Sequence, residues 1–426
     1  MYDICDYGEG RGLATVAIQA AIDACHDAGG GTVLVPAGKY ESATIKLKSH
    51  VHLHLEAGAV LAATKDQLLY PAVESAENSN AFLITAENAE DIGIHGNGTV
   101  LGTGQETLGW YWGVGDYPKF RIGLLFFHGC RDIAIDGVCF RESDMWTLHF
   151  KKCENLLIDR VSIRNNFHHI NSDGIDPNSC RNVIISNCNI ITGDDCIVAK
   201  ATQDHPCENL VVTNCLLESP TTAIKLGTES FGDFRDVHIS NCVIRNSSGG
   251  LGIYMKDGGT VERVTFSNIS IECADRDHIR PVLPLMIDIE RRNKDSKAGR
   301  IRDVIFSNIQ IESGTGCLFQ GLEESPVENI TLKDISFRVP RAADYSKRKK
   351  PKGGVADKNE FDTVYIQRPA YAAFANVDGL VVERFGVNDD GQGFTEDRFA
   401  ISCDNVQNSS LNHVCMNGRD GSVYNP

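Results

Sequence analysis

The sequence predicts an all-β fold: a solenoid of stacked parallel coils, or parallel β-helix, closed at its N-terminal end by one helix. Three observations lead there. The segments "CRDIAIDGVCF" at 130, "CENLLIDRVSI" at 153, "CRNVIISNCNI" at 180, "CENLVVTNCLL" at 207, "FRDVHISNCVI" at 234 and "VERVTFSNISI" at 261 start 23, 27, 27, 27 and 27 residues apart. Each copy alternates β-branched runs with Asn, Asp, Ser or Gly, the signature of short strands and turns with no room for a long helix. Cysteines keep the same interval, at 153, 180 and 207 and again at 188, 215 and 242.

One such unit cannot bury both faces of its strands alone, so the copies must stack, with neighbouring coils about 4.8 Å apart. Propeller blades need about 40 residues or more, and the leucine and asparagine frame of leucine-rich repeats is missing. The repeat resumes at 301, 327 and 377 and, more weakly, at 406, with an early copy at 89. Insertions between the copies at 261 and 301, and at 327 and 377, are expected to form loops on one side. The recurrent Asn187, Asn241, Asn268 and Asn308 are expected to form a turn ladder along the axis.

A stacked coil has an open edge that needs a cap. "TVAIQAAIDACHDAGGG" supplies a helix with Thr15 as N-cap, Ile18, Ala21, Ile22 and Cys25 on one face, and Gly29 as the stop. The glycines 29–31 follow a helix and lack a Walker lysine, so they form a turn and not a phosphate loop. No Pro-, Gly- or Ser-rich linker divides residues 1–426, and a single domain is expected.

A net charge of −16 repels nucleic acid and anionic membranes, so neither is an expected partner, and a bound polyanion would need local cations. No run of eighteen apolar residues suggests a membrane span. The basic run from Lys347 to Lys352 reads as a solvated loop. "MYDICDYGEG" lacks the basic and apolar regions of a signal peptide, so a cytoplasmic location is expected, or secretion if an export signal has been removed. Fifteen cysteines without a CxxC or a His/Cys zinc spacing fit small buried hydrophobes at equivalent places in a repeat, and no metal or other cofactor is expected.

Against this apolar background stand "NSDGIDPNSC" at 171–180 and "GDDC" at 193–196. Aligning coils on Ile175, Ile197, Ile224 and Ile253 places Asp173 against Asp195, with Asp194 one residue earlier. Three carboxylates this close cannot all ionise cheaply, so the group can serve as acid and base together. The same alignment puts Asp176, Val198, Lys225 and Tyr254 in one row, with Lys256 two residues on. Cations and a phenol there suit an anionic, hydroxyl-rich ligand.

At these residues the sequence resembles the polygalacturonase family, glycoside hydrolase family 28, whose motifs run NTD, GDD, GHG and RIK. "NSD" at 171–173 is similar to the first and "GDD" at 193–195 matches the second. "TTA" at 221–223 stands for GHG, so Thr222 occupies the histidine position, and "YMK" at 254–256 keeps only Lys256. The resemblance, which also takes in "AIQAAIDAC" and "VPAGKY", implies a right-handed parallel β-helix that hydrolyses α-linked galacturonate or related pectic oligosaccharides with inversion and without a cofactor. It implies Asp194 as general acid, with Asp173 and Asp195 as bases for a water, and Lys256 on the sugar carboxylate. Exo action is expected. Lys225, in "AIKLGTES", is expected to replace part of the missing positive charge.

Further substrate contacts are expected from His168, His169, Glu229, Arg121 and Trp146, the last by stacking on a sugar face. Trp110, Tyr111 and Trp112 are expected to form an aromatic wall. The rival readings are a Ca²⁺-dependent lyase or epimerase of the same architecture, with the aspartates as metal ligands, and a carbohydrate-binding solenoid without activity.

Overall fold

A computed structural model describes residues 1–8, 12–73, 81–104, 120–274, 283–340, 370–390 and 398–425. Trp110, Tyr111, Trp112 and the basic run at 347–352 lie outside the described residues. The chain forms two compact units, Met1–Val198 and Ala199–Pro426, and both are stretches of parallel β-helix.

In the first unit each coil contributes three short strands. Leu148–Lys151, Glu154–Asp159 and Ser162–Arg164 pair in parallel with Ile175–Asn178, Arg181–Ser186 and Asn189–Ile191 of the next coil. Identical alternation on successive coils stacks like on like. Ile92, Ile133, Leu156 and Val183 form one inward column, and Ile94, Ile135, Ile158 and Ile185 another. All eight are buried, so each coil finishes the core of its neighbour.

The turns need left-handed backbone, which Asn and Asp tolerate best among residues with side chains. Asp132, Asn155 and Asn182 have φ of 55°, 58° and 57°. Their side chains form a rail, Asn155 Nδ2 donating to Asp132 Oδ1 at 2.8 Å and Asn182 Nδ2 to Asn155 Oδ1 at 2.9 Å. In the second unit Asn308 donates to Asn268 at 2.8 Å and Asn268 to Asn241 at 3.2 Å, the ladder expected from the sequence. Asn187 likewise bonds along the axis, its Nδ2 donating to Asp159 Oδ1 of the preceding coil at 2.7 Å.

The fifteen cysteines are free thiols. Cys130, Cys153 and Cys180 stand at equivalent places on three coils, just before the paired residues Arg131, Glu154 and Arg181, and all three are buried. Burial pushes the Cys153 thiol well up, helped by its thiol neighbours Cys130 and Cys180. These are packing groups.

The capping helix spans Thr15–Asp27 and buries Ile18, Ala21, Ile22 and Cys25. Thr15 is not its N-cap. Ala14 holds that place, and the Thr15 hydroxyl instead accepts the Ala43 N–H at 2.8 Å, fastening the helix to the first coils. Gln19 treats the strand Ile45–Lys46 as a neighbouring strand would: its Nε2 donates to Lys46 O at 3.1 Å and its Oε1 accepts from Lys46 N at 2.8 Å. Both exposed main-chain groups are satisfied by one side chain.

In the second unit the paired columns continue over longer strands. Arg300–Ser313 lies between Thr260–Cys273 and Val327–Val339. The column Val212, Ile239, Phe266, Phe306, Leu332 and Val382 is buried throughout. One expected register fails here. Ile224 pairs with Leu251, and Ile253 pairs with Leu226. A shift of two residues keeps every side chain on its expected face, which is why the alternation alone could not reveal it.

Candidate active site

The first unit brings the three aspartates together. Gly174 N–H donates to Asp195 O and Ile175 N–H to Cys196 O, both at 2.9 Å, so Asp173 and Asp195 sit on adjacent rungs as expected. One carboxylate oxygen from each of Asp173, Asp194 and Asp195 lies within 4.8 Å of the others. The residues are 3%, 7% and 1% exposed, so water screens them little.

Asp194 is held at both oxygens: Asn171 N–H donates to Oδ2 at 3.0 Å and Asp195 N–H to Oδ1 at 3.1 Å. Such bonds favour a charged carboxylate by about 1.5–3 kcal/mol each. Against this, each neighbouring charge at such separation costs about 3.5 kcal/mol at an effective dielectric of about 20. The two bonds fix the plane in which Asp194 presents its oxygens. Three oxygens this close are also able to ligate a divalent cation, the arrangement a lyase of this architecture would need.

Glycine is required beside the acids. A Cβ on Gly193 would lie 2.1 Å from His169 O and 2.7 Å from Ser172 Oγ. The turn bearing Asp194 and Asp195 thus rests directly on the segment 165–173. That segment is tied down by polar bonds: Asn165 Nδ2 donates to Thr147 Oγ1 at 2.7 Å and to Ser172 O at 2.9 Å, and Thr147 Oγ1 donates to Asp173 O at 2.7 Å.

The remaining candidates of this unit take different places. Arg121 reaches Ile170 O and Asn171 Oδ1, both at 3.3 Å, and supports the loop. His168 is exposed. His169 is not a substrate contact on its ring side, being 1% exposed with Nε2 donating to Asp144 Oδ1 at 2.7 Å. Trp146, 4% exposed and edge-on to His149 at 4.8 Å, is a packing residue, and the expected sugar-stacking face is covered.

The second unit gathers the cationic candidates. Thr222 Oγ1 and the Tyr254 hydroxyl are 3.4 Å apart, and Lys225 Nζ stands 5.9 Å from the Tyr254 ring. The ring folds back over Gly252, where a Cβ would come within 2.3 Å of it. Gly252, the register partner of Lys225, gives the phenol its room. Lys256 is ion-paired with Glu290.

Glu229 lies among cations, 3.3 Å from Lys200 and 3.8 Å from Arg292, which also forks onto Asp257 at 2.6 and 2.7 Å. Burial alone would raise its carboxyl, but Lys200, Lys225 and Arg292 together outweigh burial and bring it down to about 2. A lowered carboxylate stabilises the fold fully above its ordinary value of 4.5, and the contribution fades as pH falls towards 2. The difference in thermal midpoint between the parent and Glu229→Gln is therefore expected to be largest above pH 5 and to close on acidification. A pH-independent gap would show that the three cations do not govern this group.

Lys200, Arg292 and Asp144 were not singled out from sequence. Lys200 was within reach, since it follows Val198 by two as Lys256 follows Tyr254. Arg292 lies in the insertion before the copy at 301, where no repeat supplies a frame. Asp144 lies between strands and has no pattern around it.

The family model for glycosyl hydrolases family 28 matches residues 25–352. The chain belongs to glycosyl hydrolases family 28. Over 194 residues it is 32% identical to a Vitis vinifera protein named "Probable polygalacturonase", a match covering 42% of this chain and 39% of that protein. The chain thus spans well under two thirds of that curated relative. Among solved structures, the exopolygalacturonase of Thermotoga maritima superposes with a TM-score of 0.69 at 24% identity, covering 80% of this chain and 87% of the other. The family 28 exopolygalacturonase of Yersinia enterocolitica gives 0.70 at 18% identity, with 96% and 78% covered. At these identities the likeness is one of fold, the right-handed parallel β-helix, the hand that parallel crossover connections prefer.

Proposed function

We propose that this family 28 protein hydrolyses α-linked galacturonate or a related pectic linkage, acting from the chain end and with inversion. The observation that carries the reading is the packing of one oxygen each from Asp173, Asp194 and Asp195 within 4.8 Å. Asp194, fixed at both oxygens, protonates the glycosidic oxygen. Asp173 and Asp195 hold and deprotonate a water that attacks the anomeric carbon. A single carboxylate at about 5 Å from the acid would suit a retaining nucleophile. Two carboxylates facing the acid suit a shared water instead, which accounts for the third aspartate.

An anionic sugar also needs positive charge. The second unit carries Lys200, Lys225 and Arg292 around Glu229, with Arg292 also bound to Asp257. The solved exopolygalacturonases support the choice of substrate and of exo action.

The test is NMR of the first product formed from defined oligogalacturonates. Release of monomeric β-galacturonate, unaffected by chelator, is expected. An α-anomer would overturn the shared-water mechanism and make one aspartate a nucleophile. An unsaturated product lost on chelation would replace hydrolysis with metal-assisted elimination.

A further inference from the structure

We infer that Asp144 and His169 form a positioning pair that sets the height of the general acid, an inference resting on the role of Asp194 proposed above. The pair is buried, at 2% and 1% exposure, and its bond of 2.7 Å joins two different segments of chain. A second contact from the same nitrogen to Asp144 O, at 3.2 Å, fixes the ring to the main chain as well as to the carboxylate.

From the ring, the connection runs through the backbone of His169 to the acid turn. His169 O accepts from Ser172 Oγ at 2.7 Å, and Ser172 Oγ accepts from Gly193 N–H at 3.0 Å. Gly193 packs so tightly on His169 O that no Cβ fits between them. Two residues beyond His169, the Asn171 N–H holds Asp194 Oδ2. His169 is therefore fastened at its ring to the preceding coil, its carbonyl packs on Gly193, and the Ser172 hydroxyl and Asn171 N–H just beyond it bond to the Gly193–Asp194 turn. Moving the ring moves the donor that orients the acid.

Asp144 receives the load on the other side. Its neighbour Ser143 is itself pinned, its N–H donating to Asn165 Oδ1 at 3.0 Å and its hydroxyl to Met145 O at 2.6 Å. The pair is thus one strut in a frame. A misplacement of about 1 Å in such a site costs about 100-fold in rate.

The experiment compares three proteins, the parent, His169→Ala and His169→Gln, on an oligogalacturonate and on a dinitrophenyl α-galacturonide, whose leaving group needs no proton. The Gln variant keeps an N–H able to reach Asp144. His169→Ala is expected to lose about 100-fold in kcat on the oligogalacturonate with KM within about twofold, but under about fivefold on the activated glycoside. His169→Gln is expected to recover most of the loss. Equal losses on both substrates would make the pair a fold element only, and parent rates in His169→Ala would remove its role. If Asp194→Asn itself retains activity, the reading of the acid fails first. A dead Asp194→Asn beside a fully active His169→Ala sinks this inference alone.

Discussion

Asp194→Asn is expected to lower kcat on oligogalacturonate by about 10³-fold or more while leaving the fold intact. General acid catalysis contributes about 10²–10⁴-fold, and an amide cannot supply the proton. The structural cost is small for a buried site. Asn keeps one acceptor for the two main-chain donors from Asn171 and Asp195, so one bond is lost, at about 1–3 kcal/mol. Removing an acidic group from a trio packed within 4.8 Å offsets this, since each like-charge pair there costs about 3.5 kcal/mol. The thermal midpoint should stay level or rise as turnover disappears. Steady-state kinetics and a melting curve on the same preparation check both halves. Parent-level hydrolysis by the variant would move the acid role to Asp173 or Asp195.

Phe306→Ala is expected to weaken the second unit by about 3–5 kcal/mol, the usual cost of an emptied phenylalanine site. Phe306 is 1% exposed, stacks on Phe266 at 4.8 Å with planes 9° apart, and meets Phe319 edge-on at 5.8 Å. No neighbour collapses readily into the void, because Phe266 is held by its pairing to Ile239, Leu332 by that to Val382, and Phe319 by those to Ile287 and Phe374. In a stacked repeat the loss stays local. Hydrogen exchange should show reduced protection at 264–267 and 304–307, with residues 133–158 unchanged. Uniform loss along the chain would mean that the coils melt as one.

How much of this was legible in the sequence follows from what periodicity encodes. The 27-residue interval predicted the stacked coils and the burial of cysteines such as Cys153 and Cys180, and aligning coils on Ile175 and Ile197 predicted the meeting of Asp173 with Asp195, because strand pairing converts separation along the sequence into adjacency. The helix face Ile18, Ala21, Ile22 and Cys25 was equally plain. Register within the second unit was not, since a slip from Ile253 to Leu251 opposite Ile224 exchanges one inward residue for another. Side-chain partners were out of reach wherever the chain leaves the repeat. His169 reads from sequence as a substrate contact, because Asp144, its partner, belongs to an irregular turn one coil away. Arg292 entered the cationic group from an insertion, and Thr15 gave its hydroxyl to a strand where a helix cap was expected.

Gln19 has a consequence for the molecule in solution. A stack of hydrogen-bonded coils is in essence a very short fibril, able to grow at any end that offers free amides and carbonyls. By occupying both groups of Lys46, this one amide side chain denies a second molecule its template there. The helix that bears it thus acts as a terminator, keeping a filament-like architecture finite.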